Sequence, residues 1–404
     1  MFSESTPWCF MTSSFVSIVQ EKDTYMAVKE ALDNLEINLS GKVLIKPNLT
    51  LNVPQHRRAC TNPYVVSALI DIIREHGGTP SVGESSMVGC DTLTAYASSG
   101  IQSVCDEKNV TFIDFNRCHP LKIKVQGEFV KELTVAKELL TFDKIISVPV
   151  MKTHVLTGVS LGMKNMKGVQ YRDEKIRLHE KGMKMLHVGI VDIVQTITPY
   201  LTVIDGSYGQ EGEGPVGGNI VNMDVIVASK DVVAADATAC RIMGINPHNI
   251  SHIALAGKRQ IGNIDKITLI GEDLNTVAKK FDFPHSVYKR FKYKLLDFGM
   301  DFAAKLKNTT EANRAYKTIM KLMQTMPIIH HTCQKCGKCL LVCPHNAITP
   351  VYSIDLQKCK SCMICMEACP HHAIKSKEIS LLHATKEIII CFSHVTIKKL
   401  LGKL

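Results

Sequence analysis

The sequence lacks the features that mark membrane, secreted or nucleic-acid-binding proteins. Its 404 residues contain no run of about eighteen apolar residues, the length that a membrane-spanning helix needs. The N-terminal stretch MFSESTPWCFMTSSFVSIVQ has no basic start and no apolar core followed by a cleavage site, so we reject a signal peptide. Zinc-finger, helix-turn-helix and RNA-binding signatures are absent as well. We therefore expect no membrane span and no nucleic-acid partner.

The bulk composition is that of an ordinary globular protein. Hydrophobic residues make up 45% and charged residues 21% of the chain, which is long enough to bury a full core. The formal net charge is +10, and basic residues concentrate in amphipathic stretches such as VYKRFKYKLLDFGMDFAAKLKN. Such a charge is compatible with an acidic redox partner protein, a small anionic ligand or a membrane surface.

Eight of the fifteen cysteines form two copies of one motif near the C-terminus. The copies read CQKCGKCLLVCP from Cys333 and CKSCMICMEACP from Cys359. The spacing C-x2-C-x2-C-x3-C before a proline is the run of bacterial two-cluster ferredoxins, in which the fourth cysteine ligates the other cluster. Three thiolates two residues apart can surround one iron–sulfur cube, and the fourth lies past a short helical turn. We predict two [4Fe-4S] clusters that relay single electrons.

The crossing of the fourth cysteines assigns the ligands. The first cluster takes Cys333, Cys336, Cys339 and Cys369, and the second takes Cys343, Cys359, Cys362 and Cys365. Zinc sites typically use two separated pairs of ligands, which this spacing does not match. The other seven cysteines are scattered and odd in number, which indicates free thiols, a reducing compartment and therefore the cytoplasm rather than disulfides.

The stretch from about Val16 to Asp273 alternates short β-branched runs with helical patterns. The clearest helix is NPYVVSALIDIIREHGG, where Asn62 caps the start, Pro63 occupies the first turn and Gly77-Gly78 ends it. The predicted strands include residues 43–45, 80–82, 111–113, 144–150, 201–204, 224–228 and 266–270. This alternation predicts an α/β fold, a mostly parallel sheet covered by helices. A hairpin insertion is expected around Gly127.

The organisation predicted from these patterns has four parts. An α/β domain spans residues 13–275, a helical connector spans 276–326, a small α+β ferredoxin-like two-cluster domain spans 327–376, and a C-terminal tail spans 377–404.

Polar residues gather after the predicted strands, where open parallel sheets place their ligand sites. The candidate catalytic residues are Lys152, His154 and Glu84. The candidate substrate-binding residues are Lys46, Asn48, Lys164, Asn165, Asp205 and Glu211. Each has an ordinary structural alternative, such as a solvated lysine or a capping histidine. No dinucleotide fingerprint or phosphate-binding loop matches.

Several ordered blocks resemble the domain-of-unknown-function 362 family. They read VLIKPNL, TNPYVVSALIDIIREHGG, VGES, VPVMKTH, GVSLGMKNMKG, VIDGSYGQEGEGPVGG and VIVASKDVVAADATACRIMGI. The resemblance covers about residues 13–275 and the cluster domain, which members of this family often carry. It implies a cytoplasmic, redox-active iron–sulfur protein without a defined reaction. The usual Thr-His-Pro of the family is Thr61-Asn62-Pro63 here, so no role can rest on a histidine at position 62.

Three functions remain open at this point. The first is an oxidoreductase whose two clusters pass electrons to or from an anionic substrate bound in the α/β domain. The second is an electron carrier or subunit whose α/β domain docks a partner enzyme. The third is a metal- or cofactor-handling protein in which Asp205, Glu211, Asp231 and His154 hold a divalent ion.

Overall fold

The computed structural model describes residues 13–50, 58–180, 182–212, 214–215, 218–284, 326–355, 358–359 and 362–377. The chain divides between Pro284 and His285 into two compact units. Among the described residues, no helix combines the length and apolar character needed to cross a bilayer.

The first unit is built from twelve strands and ten helices within its described residues. The strands are β1 (Ser14–Gln20), β2 (Gly41–Pro47), β3 (Gly78–Glu84), β4 (Phe112–Asp114), β5 (Pro120–Lys124), β6 (Glu132–Ala136), β7 (Lys144–Val148), β8 (Val150–His154), β9 (Gly158–Ser160), β10 (Leu201–Glu211), β11 (Asn219–Ser229) and β12 (Ile267–Gly271). The helices are α1 (Thr24–Asp33), α2 (Pro63–Glu75), α3 (Thr92–Ser99), α4 (Ile101–Glu107), α5 (Gly162–Asn165), α6 (Arg172–Glu180), α7 (Gly182–Thr196), α8 (Val232–Ile242), α9 (Ser251–Lys258) and α10 (Leu274–Val277). Short 3-10 turns cover Lys137–Thr141, Met166–Val169 and Pro247–Asn249.

One large sheet carries the first unit. Its strand order is β12-β1-β11-β10-β7-β2-β3-β4, and β8 and β9 extend it beside β10. Pairing is parallel from β10 through β7, β2 and β3 to β4, and antiparallel where β11 meets β1 and β10. Val43, Leu44 and Ile45 of β2 are all fully buried, as expected for a strand covered on both faces. The predicted α/β class is confirmed.

Local sequence signals explain several boundaries. The side chain of Asn62 accepts a hydrogen bond from the Tyr64 amide and caps α2, with Pro63 in its first turn. Gly77 then takes a left-handed conformation (φ 72°) that ends the helix. The hairpin expected around Gly127 is the antiparallel pair β5 and β6.

The strand predicted over residues 144–150 is divided in two. Proline has no N–H to donate to a neighbouring strand, and the strand is interrupted at Pro149 between β7 and β8. Strand β7 pairs with β2 and β10, whereas β8 pairs with β10 and with β9. As a result, Lys152 and His154 lie on a buried hairpin rather than on a loop.

The glycine-containing stretch from Gly206 to Glu211 belongs to a strand. Strand β10 continues to Glu211 and pairs with β11 across a register shift between Gly206 and Tyr208. Strand β1, which was not among the predicted strands, lies between β11 and β12.

The second unit is small. Its strands β13 (Met326–Ile329) and β14 (Ile374–Lys377) pair antiparallel, and α11 (Lys338–Val342) and α12 (Ile364–Glu367) lie between them in sequence. The buried core combines cluster-motif cysteines with Ile348, Ala373 and Ile374. Residues 285–325 of the predicted connector and 378–404 of the predicted tail lie outside the described residues. The bounds of the four parts therefore remain predictions.

Candidate functional site

The eight motif cysteines surround two separate cavities in the second unit. One cavity is lined by Cys333, Cys336, Cys339 and Cys369. The other is lined by Cys343, Cys359, Cys362 and Cys365. Each set joins three cysteines of one motif to the fourth cysteine of the other, which is the crossed arrangement of two-cluster ferredoxins.

The chemistry of these cavities fits a cluster. The amides of Ala347 and Ala373 donate to the Sγ atoms of Cys343 and Cys369, both over 3.3 Å. Such hydrogen bonds stabilise charge on cluster sulfurs and tune the reduction potential. Among the described residues, no three His, Cys, Asp or Glu side chains converge closely enough to hold a single metal ion. The cysteine sets therefore fit multinuclear [4Fe-4S] clusters rather than zinc.

The polar residues of the first unit meet at the carboxyl ends of its central strands. Lys46 of β2 is fully buried, and its Nζ lies 2.7 Å from the Oε2 of Glu84 on the neighbouring strand β3. Burial lowers the pKa of Lys46, and the attraction of Glu84 opposes this effect. The two predicted residues thus form one buried ion pair.

Asn165 and Gly168 both pack against this ion pair. Asn165 at the end of α5 accepts from Lys46 Nζ over 3.2 Å and donates to the Lys46 carbonyl over 3.2 Å. Gly168 packs so closely that an added Cβ would lie 2.1 Å from Glu84 Oε1 and 2.5 Å from Lys46 Nζ. Only glycine leaves room for the pair at this position.

Lys175 was missed by the sequence reasoning. It lies on α6, is buried, and donates to the Oγ of Ser85 over 2.7 Å, to the Ser86 carbonyl over 3.0 Å and to the Ser85 carbonyl. Burial lowers its pKa to about 7, and the nearby Lys46 adds to the effect while Glu84 opposes it. The sequence RDEKIRLHE of α6 is highly polar and is typical of a solvent-exposed helix. The spacing of Lys175, Leu178 and His179, which places them on one face of the helix, was the only sign that this face is buried.

Lys152 of β8 belongs to a second cluster of polar residues. Its Nζ donates to Asn48 Oδ1 over 2.6 Å and to the Ala59 carbonyl over 2.9 Å. Asp205 on β10 is buried, which raises its pKa, while hydrogen bonds from Ser207 and the Asn62 amide and the charge of Lys152 act in the opposite direction. The structure therefore brings Asn48, Lys152 and Asp205 together.

His154 ends β8 and is fully buried. Its Nδ1 accepts hydrogen bonds from the amides of Leu156 and Thr157 over 3.0 and 3.3 Å. A neutral imidazole that accepts at Nδ1 carries its proton at Nε2. The hairpin turn thus fixes His154 as a potential donor through Nε2.

Other candidate residues lie elsewhere or have structural partners. Glu211 accepts from the Asp282 amide over 2.9 Å. Asp231 caps α8 through the amides of Val233 and Ala234 and accepts from Ser14. Lys164 on α5 is half-buried. Because Asp231 is committed to its helix and no described group of three acidic, histidine or cysteine side chains can hold an ion, nothing here supports the divalent-metal hypothesis.

Asp236 of α8 connects this helix to α5 through hydrogen bonds. Its carboxylate accepts from the amides of Gly162 and Met163 over 2.7 and 2.9 Å. Burial raises its pKa to about 7, against the effect of these two hydrogen bonds. In an unfolded chain an aspartate titrates at about 4. Between these values the folded chain binds more protons, so the stability contributed by this group is lost as the pH rises from about 4 to about 7.

This titration gives a testable pH dependence. We expect the difference in unfolding free energy between wild type and Asp236→Asn to shrink as the pH rises through that window, because the variant cannot titrate there. Urea unfolding of the cluster-loaded protein at several pH values, followed by circular dichroism, measures the difference. Asp173→Asn on the exposed side of α6 controls for the loss of one carboxylate. A difference that stays constant or grows with pH would contradict the assignment.

The geometry agrees with comparisons to known proteins. Residues 43–241 match the model of the domain of unknown function (DUF362). Residues 326–349 and 352–375 match the 4Fe-4S binding domain. The chain carries a DUF362 domain followed by a two-cluster 4Fe-4S domain. It therefore holds two [4Fe-4S] clusters and has the capacity for electron transfer.

The individual proteins that resemble this chain are more distant. The thylakoid-associated protein sll1697 of Synechocystis sp. is 27% identical over 248 residues, which cover 61% of this chain and 72% of that protein. The lactate racemase apoprotein from Thermoanaerobacterium thermosaccharolyticum aligns with a TM-score of 0.40 and 15% identity. This alignment spans only 57% of the racemase chain and 57% of this one, and it carries no function across.

Proposed function

We propose that this protein is an iron–sulfur oxidoreductase whose DUF362 domain binds a small anionic substrate at the carboxyl ends of its central strands. The observation that carries the proposal is the gathering of buried lysines at that edge, namely Lys46, Lys152, Lys167 and Lys175. Burying an ammonium group costs several kcal/mol unless it is well paired. Ionisable groups with strongly shifted pKa values that gather at the carboxyl ends of parallel strands are typical of a functional site. The clusters, when bound, supply one-electron transfer.

We divide the roles among these residues according to their contacts. The ammonium groups of Lys46 and Lys152 already donate to Glu84 and Asn48, so we assign them to shaping the site rather than to contacting the substrate. Lys164 on α5 is half-buried and is the lysine that we assign to contact the anion. We propose that Asn165 and Asp205 hold the walls of the site, whereas Glu211 only tethers the chain at Asp282.

Proton transfer is assigned to His154 and Lys175. His154 presents Nε2 as its protonated nitrogen, and the pKa of Lys175 near 7 lets its amine hold or release a proton close to neutral pH. Glu84 is less suited to this role than the sequence implied, because its carboxylate accepts from both Lys46 and the Ser85 amide.

A redox partner protein and a cytoplasmic location complete the proposal. The one-electron chemistry of the clusters needs an electron donor or acceptor, which we propose is a protein, and the net charge of +10 favours an acidic one. Buried thiols such as Cys60, Cys105 and Cys240 are free in the structure, which is consistent with a reducing compartment.

The test is anaerobic reoxidation of the reduced, cluster-loaded protein by a panel of small carboxylates and phosphate esters that also carry a reducible carbonyl or conjugated double bond to accept the electrons, followed by visible absorbance. We expect one class of anion to reoxidise the clusters, and Lys164→Gln to slow that reaction by about tenfold or more, the loss of one charge-assisted contact. Lys184→Gln, an exposed lysine on α7, is the matched control and should react like wild type.

The opposite result favours the carrier hypothesis. If only redox proteins reoxidise the clusters, and Lys164→Gln reacts like the control, the DUF362 domain docks a partner and turns over no small anion. Equal iron content in all three proteins is required for the comparison.

A further inference from the structure

A pair of histidines lies beside the proposed site and takes no part in the roles assigned above. His187 of α7 and His252 of α9 stack with ring centroids 5.3 Å apart and an interplanar angle of 18°. Their Nδ1 atoms are 3.2 Å apart. Because two lone pairs repel, one of the two nitrogens must carry a proton and donate it to the other. The two helices thus fix complementary tautomers.

The pairing with His187 uses Nδ1 of His252 but not its Nε2, which is also buried. The residue is fully buried, and its Nε2 makes no hydrogen bond to any of the residues that the structure describes. In native proteins a buried polar group without a hydrogen bond usually reflects a bound ion, a water or a functional role. The Nε2 atom of His252 can therefore take a hydrogen-bond partner from outside the described residues.

The surroundings of His252 decide the charge of that partner. Burial is the main cause that lowers the pKa of His252, and His187, Lys164 and His154 lower it further. These neighbours come from α7, α5 and β8, and the ammonium group of Lys164 among them disfavours a positive charge on the ring. A cation would meet the same repulsion, whereas an anion would be attracted.

We propose that the Nε2–H of His252, held in its tautomer by His187 and flanked by Lys164, binds an oxyanion group of the substrate. In this arrangement His187 donates through Nδ1 to the Nδ1 of His252, which leaves the proton of His252 on Nε2. A carboxylate or a phosphate group has the acceptor oxygens that this donor and the Lys164 ammonium require. The inference rests on the proposed function in that it names the part of the substrate bound there.

The experiment is a titration of the full, cluster-loaded chain with acetate and, separately, inorganic phosphate, followed by NMR of ring-labelled histidines. We expect the His252 signals to shift saturably with one of the two anions and to report a protonated Nε2. His252→Asn keeps a polar group near Nδ1 but cannot reach the Nε2 position, and it should weaken binding about tenfold. His252→Gln places an amide near Nε2 and should recover part of the affinity.

The matched control is His248→Gln, an exposed histidine on the turn before α9 that contacts Asp265. It should leave the titration unchanged. Absence of a saturable His252 shift in the wild-type protein with both anions overturns the inference, and so does equal affinity of the Asn variant and wild type. Binding is read without turnover, so an anion that binds here while no substrate reoxidises the clusters would remove the proposed reaction and leave the binding site.

Discussion

Replacing Glu84 with glutamine is expected to destabilise the DUF362 domain by about 3–5 kcal/mol. The substitution leaves the ammonium group of Lys46 without its ion pair at a position that is fully buried. Gly168 packs closely against the pair and Asn165 accepts from Lys46, so the ammonium group keeps only neutral acceptors at this position. The large cost reflects an uncompensated charge rather than the net contribution of the pair.

The double variant separates these two quantities. Lys46→Met combined with Glu84→Gln removes the charge on both sides, and it should recover much of the stability lost in Glu84→Gln alone. Protection of the buried thiol of Cys105 from labelling in urea measures unfolding of this domain without interference from the clusters.

A surface pair provides the reference for this experiment. Glu132 lies 2.8 Å from Lys122 on the exposed β5–β6 hairpin, and Glu132→Gln should cost less than about 1 kcal/mol. If Glu84→Gln costs no more than this control, Lys46 is not held as a buried ammonium, and the assignment of a buried ion pair at this position is wrong.

The fold could be read largely from the sequence because its strands and caps are encoded locally. Buried parallel strands appear as β-branched runs, and Asn62-Pro63 marks the start of α2. Strand β1 was harder to predict because SFVSIVQ mixes polar and apolar residues. Its position between β11 and β12 depends on contacts across more than two hundred residues, which no local pattern encodes.

The residues of the candidate site could be predicted one by one, but their hydrogen-bond and ion-pair partners could not. Lys46 and Glu84 each follow a clear strand signal, yet their pairing depends on β2 and β3 being neighbours. Lys175 was concealed in a polar helix whose buried face becomes clear only when α6 packs over Ser85. Asp231 illustrates the opposite case, since a carboxylate at a strand end proved to be a helix cap.

Iron content should reveal the crossing of the two cysteine motifs. Cys336→Ala should lower the iron from about eight to about four atoms per chain, because it removes one ligand of one [4Fe-4S] cluster. Cys336 is exposed, so its replacement disturbs the surrounding unit least. Cys118→Ala in the first unit, where no cluster is expected, should leave the iron unchanged.

The second substitution decides which cysteines share a cluster. Cys369 lines the same cavity as Cys336, although it belongs to the other motif, so the Cys336→Ala/Cys369→Ala variant should keep about four iron atoms. Cys343 belongs to the same motif as Cys336 but lines the other cavity, so the Cys336→Ala/Cys343→Ala variant should lose nearly all its iron. The reverse pattern would mean that each motif holds its own cluster. Metal analysis of anaerobically purified protein therefore distinguishes a crossed relay, in which each cluster tethers both halves of the repeat, from two independent centres.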